Sequence, residues 1–173
     1  MLTITKRPNA DTSSTMADFL PPVVLFDPDV HSTPEIIAQM AQIHADCVLQ
    51  DGTHATFLPD PSTGEMDMPK LRGFWEATTA ETRTPHRVIA LQFSTDAQTE
   101  LIGFGGLHMP HWQTGPFRSQ VQKLLVHPGH RRKGAARRVM AALESVAVER
   151  DAGLIVRRPN PLSLSCFSCG VTR

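Results

Sequence analysis

Residues 121–144 read VQKLLVHPGHRRKGAARRVMAALE, and the order of residue types in them decides the architecture. The first part is an apolar run halted at Pro128, the rhythm of a buried strand. The last part repeats apolar residues near a 3.6 period: Ala135, Ala136, Val139, Met140 and Leu143, continued by Val146 and Ala147. Asp151-Ala152-Gly153 ends that helix, and Leu154-Ile155-Val156 is a second buried-type strand. A strand, a helix and a strand in this order form a crossover unit, so the two strands are expected side by side and parallel.

Upstream of the unit the pattern changes. Arg87–Ser94 (RVIALQFS) and Leu101–Met109 (LIGFGGLHM) read as strands joined by the turn Thr95–Glu100, which makes a hairpin. Arg118–His127 (RSQVQKLLVH) follows as a third strand after a Pro/Gly/His loop. Before the hairpin come a short strand VVLF (23–26) and a helix whose apolar face is Ile36, Ile37, Met40, Ile43, Cys47 and Val48. Ser32 and Thr33 are its cap candidates, Pro34 suits its first turn, Glu35 is placed for a capping box, and Asp51-Gly52 stops it. Pro69 opens another helix carrying Leu71, Phe74, Trp75 and Thr78. The fold class expected is therefore α/β: a mixed, mostly antiparallel central sheet flanked by helices. Residues 1–22 are crowded with Pro, Ser, Asp and Thr and are expected to be a disordered tail. The domain is expected over 23–157, with an irregular tail over 158–173.

A chain of 173 residues fits one domain with its own core. Three cysteines, Cys47, Cys166 and Cys169, are an odd count with a lone CFSC, which supplies neither a disulfide framework nor four zinc ligands. No metal is expected. No apolar run approaches the ~18 residues of a membrane span, and the N-terminus lacks the apolar core of a secretory signal, so no membrane partner and a cytoplasmic location are expected. The formal net charge is zero but unevenly spread. Residues 1–117 hold six Lys/Arg against fourteen Asp/Glu, and residues 118–173 hold eleven against three. A basic back half implies an anionic ligand or partner.

The anion's place is the junction of strand and helix. The first helical turn has backbone N–H groups without partners, and the dipole adds about half a positive charge there, a setting that favours phosphate. Gly134 would let a phosphate approach the backbone, and Ala135 and Ala136 would keep the approach shallow. Arg131, Arg132 and Lys133 add formal charge, although cations at a helix start cost ~0.3–1 kcal/mol each without an anion. The spacing is neither GxxxxGK[ST] nor GxGxxG, which excludes a P-loop and a dinucleotide fingerprint.

What stands after Leu124-Leu125-Val126-His127-Pro128 is Arg131-Arg132-Lys133-Gly134-Ala135-Ala136, an Arg-x-x-Gly-x-Ala. This resembles the GNAT superfamily of N-acetyltransferases, whose [Arg/Gln]-x-x-Gly-x-[Gly/Ala] loop holds the pyrophosphate of acetyl-CoA. It is also similar to a bacterial and fungal subgroup reading AEVQKLLVHP at this point, with weaker echoes in FLP (57–59) and FW (74–75). The resemblance spans about residues 24–156. It implies acetyl-CoA as cosubstrate and acetyl transfer to an amine of a small molecule. It implies that Leu124, Leu125 and Val126 give backbone hydrogen bonds to the pantetheine arm and acetyl carbonyl, with the Leu125 N–H as oxyanion donor. Arg131, Arg132, Lys133, Gly134, Ala135 and Ala136, with Arg137 at the edge, would hold the pyrophosphate. Leu124 and Val126 also suit a plain core strand, and Arg137 and Arg138 a solvated helix face.

The catalytic half departs from the family pattern. The subgroup commonly has Arg-Ala-Glu where this chain has Arg118-Ser119-Gln120, and a glutamine amide cannot accept an amine's proton. The family often uses a tyrosine acid, and this chain has no tyrosine. Family members continue beyond the 154–156 strand with a helix and two strands, whereas RRPNPLSLSCFSCGVTR (157–173) has no apolar period and is expected to be a truncated or altered end. His108, at the end of its strand, is one substitute base that the residues offer. Two alternatives stand beside the enzyme: an acetyl-CoA-binding pseudoenzyme, and a nucleic-acid-binding module using the 131–138 cluster. The cluster lacks interleaved aromatics for stacking bases, which weighs against nucleic acid. Oligomeric state is not legible.

Overall fold

The computed structural model describes residues 20–51, 57–109, 118–150 and 154–157. The expected tail over 158–173, its altered end, and Cys166 and Cys169 lie outside these residues, as do residues 1–19. Element order is β1 (Val24–Leu25), α1 (Pro28–His31), α2 (Pro34–Asp51), α3 (Met68–Ala80), β2 (Arg87–Phe93), β3 (Leu101–His108), β4 (Arg118–Val126), α4 (Ala135–Glu149) and β5 (Leu154–Arg157). Short 3-10 turns cover Glu81–Arg83 and Pro128–His130. One five-stranded sheet runs in the order β1-β2-β3-β4-β5. The first three pairings are antiparallel, and β4 pairs β5 in parallel from Arg118↔Leu154 to Val121↔Arg157. The sheet is thus mixed and mostly antiparallel, with the crossover through α4.

Helices cover both faces, which is why β2 and β3 read as near-continuous apolar runs rather than alternating ones. Under α2 and α3 lies a cluster built on Ile36, Met40, Ile43, Leu71, Trp75, Ile89, Leu91, Phe93 and Phe104. Under α4 lie Val88, Ala90, Leu107, Val139, Leu143 and Val146. Gly105 sets how closely α4 approaches: an added Cβ would stand 3.0 Å from Val139 Cγ1 and 3.3 Å from Leu143 Cδ1.

Two local expectations need correction, and one helical turn comes in addition. Thr33 alone caps α2, its Oγ1 accepting from the Ile36 N–H at 3.3 Å. That places Glu35 in the second helical position, one short of the capping-box position. The turn after VVLF is a helical one, α1, because Asp27 caps it by accepting from the Asp29 N–H at 2.9 Å. Leu20 and Pro21, assigned above to the tail, are buried, and Leu20 packs with Ile102 and Ala135. A single apolar anchor inside a polar, proline-rich stretch leaves no periodic signal.

β4 carries the irregularity that shapes the site. Phe104 faces Leu125 and Gly106 faces Gln122, so Lys123 and Leu124 together oppose Gly105. Lys123 has φ 54, a left-handed residue in a bulge, and bulges re-aim the strand that holds them. Among the described residues β5 accompanies β4 only as far as Val121, just before that bulge.

Candidate functional site

From the end of β4 the chain must turn and start α4 within eight residues. The His127 N–H donates to Ile102 O at 2.9 Å, the last bond to β3. His127 then folds over the turn, its Nδ1 accepting from the Gly129 N–H at 3.1 Å. Two left-handed residues complete the path: Arg132 at φ 66 and Gly134 at φ 85. For Arg132 that conformation costs about 1–2 kcal/mol, and for glycine almost nothing. Left-handed residues in a turn gather backbone N–H groups into anion-binding concavities.

Gly134 is the cap residue of α4 and makes no side-chain capping bond. No acidic residue lies in the first turn. The N–H groups of Ala135, Ala136 and Arg137 therefore start the helix without an intrahelical acceptor. A Cβ built on Gly134 meets nothing within 4 Å, so the space before the turn is open. Ala135 is 2% exposed and anchors the helix start against Leu20 and Ile102. Arg132, Lys133 and Arg137 are exposed around the opening. An uncapped helix start, open in front and ringed by cations, is the chemistry a diphosphate requires.

Arg131 is placed differently. Its Nη1 and Nη2 donate to the two carboxylate oxygens of Asp51, the last residue of α2, at 2.7 and 2.6 Å. Its Nε reaches Val126 O at 3.4 Å and its Nη2 reaches Cys47 Sγ at 3.6 Å. The Asp51 hydrogen bonds raise the Arg131 pKa still further, so the guanidinium stays charged at all ordinary pH. Burial holds the Cys47 thiol above its usual pKa, partly offset by Arg131, and the thiol donates to Val126 O at 3.4 Å. Arg138, placed above on a solvated helix face, is half-buried and turned back onto the fold: its Nε bonds Gln92 Oε1 at 3.1 Å and its Nη2 bonds Pro21 O at 2.7 Å.

Along β4, the residues expected to meet the pantetheine arm divide between faces. Leu124 packs beside the α4 cluster and Val126 beside Ala135, whereas Leu125 joins the α2/α3 cluster. Leu125 is paired in register with Phe104, and Leu125 O lies 3.1 Å from the Cβ position of Gly103 on β3. Strand alternation thus turns the Leu125 N–H toward β3 and the Val126 N–H toward the opposite edge. Val126, rather than Leu125, is the better-placed donor for a group running along that edge.

On the face covered by α2 and α3, the register aligns Arg87, His108 and Gln120 across three strands. A chain of polar contacts crosses them. Arg87 binds Glu81 at 2.8 Å and donates from Nη1 to Gln122 Oε1 at 2.8 Å, and Gln122 donates to Gln120 Oε1 at 3.3 Å. Glu81, Arg87 and Gln122 of that chain line a cavity of about 110 Å³ together with Phe74, Trp75, Thr78 and Lys123. Lys123 Nζ stands 5.6 Å from the centre of the Phe74 ring, and burial lowers its pKa. His108 ends β3 in this row, partly buried, outside the cavity lining. Lys123 and Asp51 escaped the sequence reading: nothing local marks a bulge, and nothing marks a partner 80 residues away. Among the described residues no group of three or more His, Cys, Asp or Glu is placed to hold a metal, and no helix is long and apolar enough to cross a membrane.

The fold is shared with proteins of known structure. The chain is similar in structure to a transcriptional regulator from Bacillus halodurans C-125, at 15% identity and TM-score 0.59 over 83% of this chain and 86% of that one. It is similar to a Staphylococcus aureus protein assigned to the GNAT acetyltransferases, at 21% identity and TM-score 0.54 over 78% and 97%. It is also similar to a Clostridium acetobutylicum protein described as an acetyltransferase and solved with acetyl-CoA, at 14% identity and TM-score 0.52 over 81% of each. At such identities the likeness is one of fold. A search of curated protein sequences found no match. The model of the acetyltransferase (GNAT) family matches residues 53–171, more than half of the chain, and the chain therefore belongs to that family.

Proposed function

We propose that the protein is an acetyl-CoA-dependent N-acetyltransferase acting on an amine of a small molecule. The observation that carries this reading is the helix start at Gly134: uncapped, open in front, free of carboxylates and directly downstream of β4. The first-turn N–H groups, with Arg132, Lys133 and Arg137 around them, would hold the coenzyme's diphosphate, and the outer edge of β4 near Val126 its pantetheine arm. The coenzyme supplies the activated acetyl group as a thioester, whose thiol of pKa about 8.5 is a fair leaving group unaided. The acceptor amine would approach from the opposite face, through the cavity lined by Phe74, Gln122 and Lys123.

A second reading, coenzyme binding with impaired turnover, has its own support. The polar row on β4 presents the amides of Gln120 and Gln122, and the carboxylate of Glu81 in the same cavity lining is engaged by Arg87. The chain has no tyrosine to serve as the acid. A missing acid or base costs ~10²–10⁴ in rate. Calorimetry with CoA and thiol release from acetyl-CoA over a panel of amines test both. Binding with amine-dependent release supports the enzyme. Binding with release only at the no-protein rate supports the impaired form. Absence of binding refutes both.

A further inference from the structure

Cys47 and Asp51 stand one helical turn apart near the end of α2, and both touch the guanidinium of Arg131. We infer that Arg131 is not a ligand of the diphosphate but the strut that holds the diphosphate loop in shape, and that Asp51 therefore sets coenzyme affinity without touching the coenzyme. The inference rests on the coenzyme reading above and refines it.

A guanidinium has five N–H donors. Nε is directed at Val126 O, one Nη1 donor at Asp51 Oδ1, and Nη2 at Asp51 Oδ2 and Cys47 Sγ. That leaves a single donor uncommitted. The charge is matched by the Asp51 carboxylate at 2.6 Å, so little of it is left to attract a second anion. By contrast, the side chain of Arg132 is exposed at the opening.

The loop needs such a strut. Arg132 is held at φ 66, a conformation that persists in a residue with a side chain only where the surroundings over-determine it. Arg131 fixes the chain immediately before Arg132, through a two-pronged bond to another element. Ala135 fixes it three residues after, through burial against Leu20 and Ile102. Gly134 supplies the one further left-handed turn without strain. The N–H groups are thus pre-positioned before any ligand arrives, and a ligand meeting a loop formed only part of the time binds more weakly in proportion to that fraction.

The two roles for Arg131 predict opposite signs. If Arg131 contacted the diphosphate, Asp51→Asn would release its charge toward the coenzyme and leave affinity unchanged or improved. If it is a strut, Asp51→Asn lowers the formed fraction of the loop, and the dissociation constant for CoA rises about tenfold when that fraction falls to about a tenth. Arg131→Lys gives an independent arm. Lysine keeps the charge and serves well as a phosphate ligand but cannot bridge both carboxylate oxygens, so the strut predicts a loss and direct contact predicts retention. Asp51→Glu, which can still take the fork, restores most of the affinity. Titrating the full chain and each variant with CoA in a calorimeter, with thermal melts to confirm folding, reads all three. Asp51→Asn or Arg131→Lys binding CoA as tightly as the parent overturns the strut. A parent that binds no CoA instead overturns the coenzyme reading beneath it.

Discussion

Gly134→Ala and Gly134→Glu separate what the fold asks of this position from what a ligand asks. The backbone is at φ 85, where a side chain costs about 1–2 kcal/mol. The stiffer unfolded chain returns about 0.4–1 kcal/mol. No atom lies within 4 Å of the new Cβ, so no clash is added. Alanine is therefore expected to destabilise the protein by roughly 1 kcal/mol, a fall of about 2–4 °C in Tm for a chain of this size. Glutamate bears the same backbone cost, but its carboxylate lies beside the uncapped helix start, which stabilises by about 0.3–1 kcal/mol. In stability, then, glutamate equals or exceeds alanine. Coenzyme affinity runs the other way. Alanine narrows the approach to the N–H groups, while glutamate places a like charge where the diphosphate belongs. Losing two charge-assisted hydrogen bonds at ~1.5–3 kcal/mol each amounts to more than about a hundredfold in Kd. Thermal melts and CoA calorimetry on the three proteins check both orders. Glutamate holding CoA as tightly as glycine, or affinity that simply follows stability, would place the diphosphate elsewhere.

Arg132→Gly relieves a left-handed residue and, after the entropy glycine adds to the unfolded chain, is expected to stabilise by up to about 1 kcal/mol in a urea melt; a destabilised variant would show that the Arg132 side chain holds the turn. Gly105→Ala drives a methyl group between β3 and α4, 3.0 Å from Val139 Cγ1, and is expected to cost about 1–3 kcal/mol by the same assay. Burial lowers the Lys123 pKa, so its folded-state value lies below its unfolded one. The unfolded chain then binds that proton more readily, so the cost to stability is fully present below the folded pKa and fades as pH rises through it toward the ordinary 10.5. Lys123→Met is accordingly expected to be more favourable relative to the parent at pH 7 than above pH 10, and equal Tm differences at the two values would refute the burial account.

The sheet was legible because its signals are local and repeated. A 3.6 period from Ala135 to Ala147 between two apolar runs calls for a parallel crossover, and β4, α4 and β5 form one. The runs at 87–94 and 101–109 were recognisable although they do not alternate, since the turn between them is polar and short. The bulge at Lys123 was not legible. Lysine is a poor left-handed residue, and what places it there is the register shift of β4 against β3, a tertiary event. Leu20 was missed for a related reason: one apolar residue has no period, and only the groove beside Ile102 gives it a partner.

The site divides along the same line, and the division bears on mechanism. Glycine at 134 announces itself, because a small residue at a helix start is a statement about space, and space is what the structure shows there; Ala135 is small for another reason, its burial against Leu20 and Ile102. Charges announce only their sign. The basic knot that attracted notice contains at least two cations that the fold consumes internally, Arg131 on Asp51 and Arg138 on Gln92 and Pro21. Both bind groups far away in sequence, so neither could be told from its exposed neighbours by composition. What remains for an anion is therefore mostly backbone: oriented N–H groups on a turn whose shape is guaranteed by a distant aspartate. A backbone seat cannot be mutated away directly, but it can be loosened. Affinity in this protein should consequently be more sensitive to residues that fix the turn than to the exposed cations around it, and Asp51→Asn weakening CoA more than Lys133→Ala in side-by-side titrations is the outcome this requires.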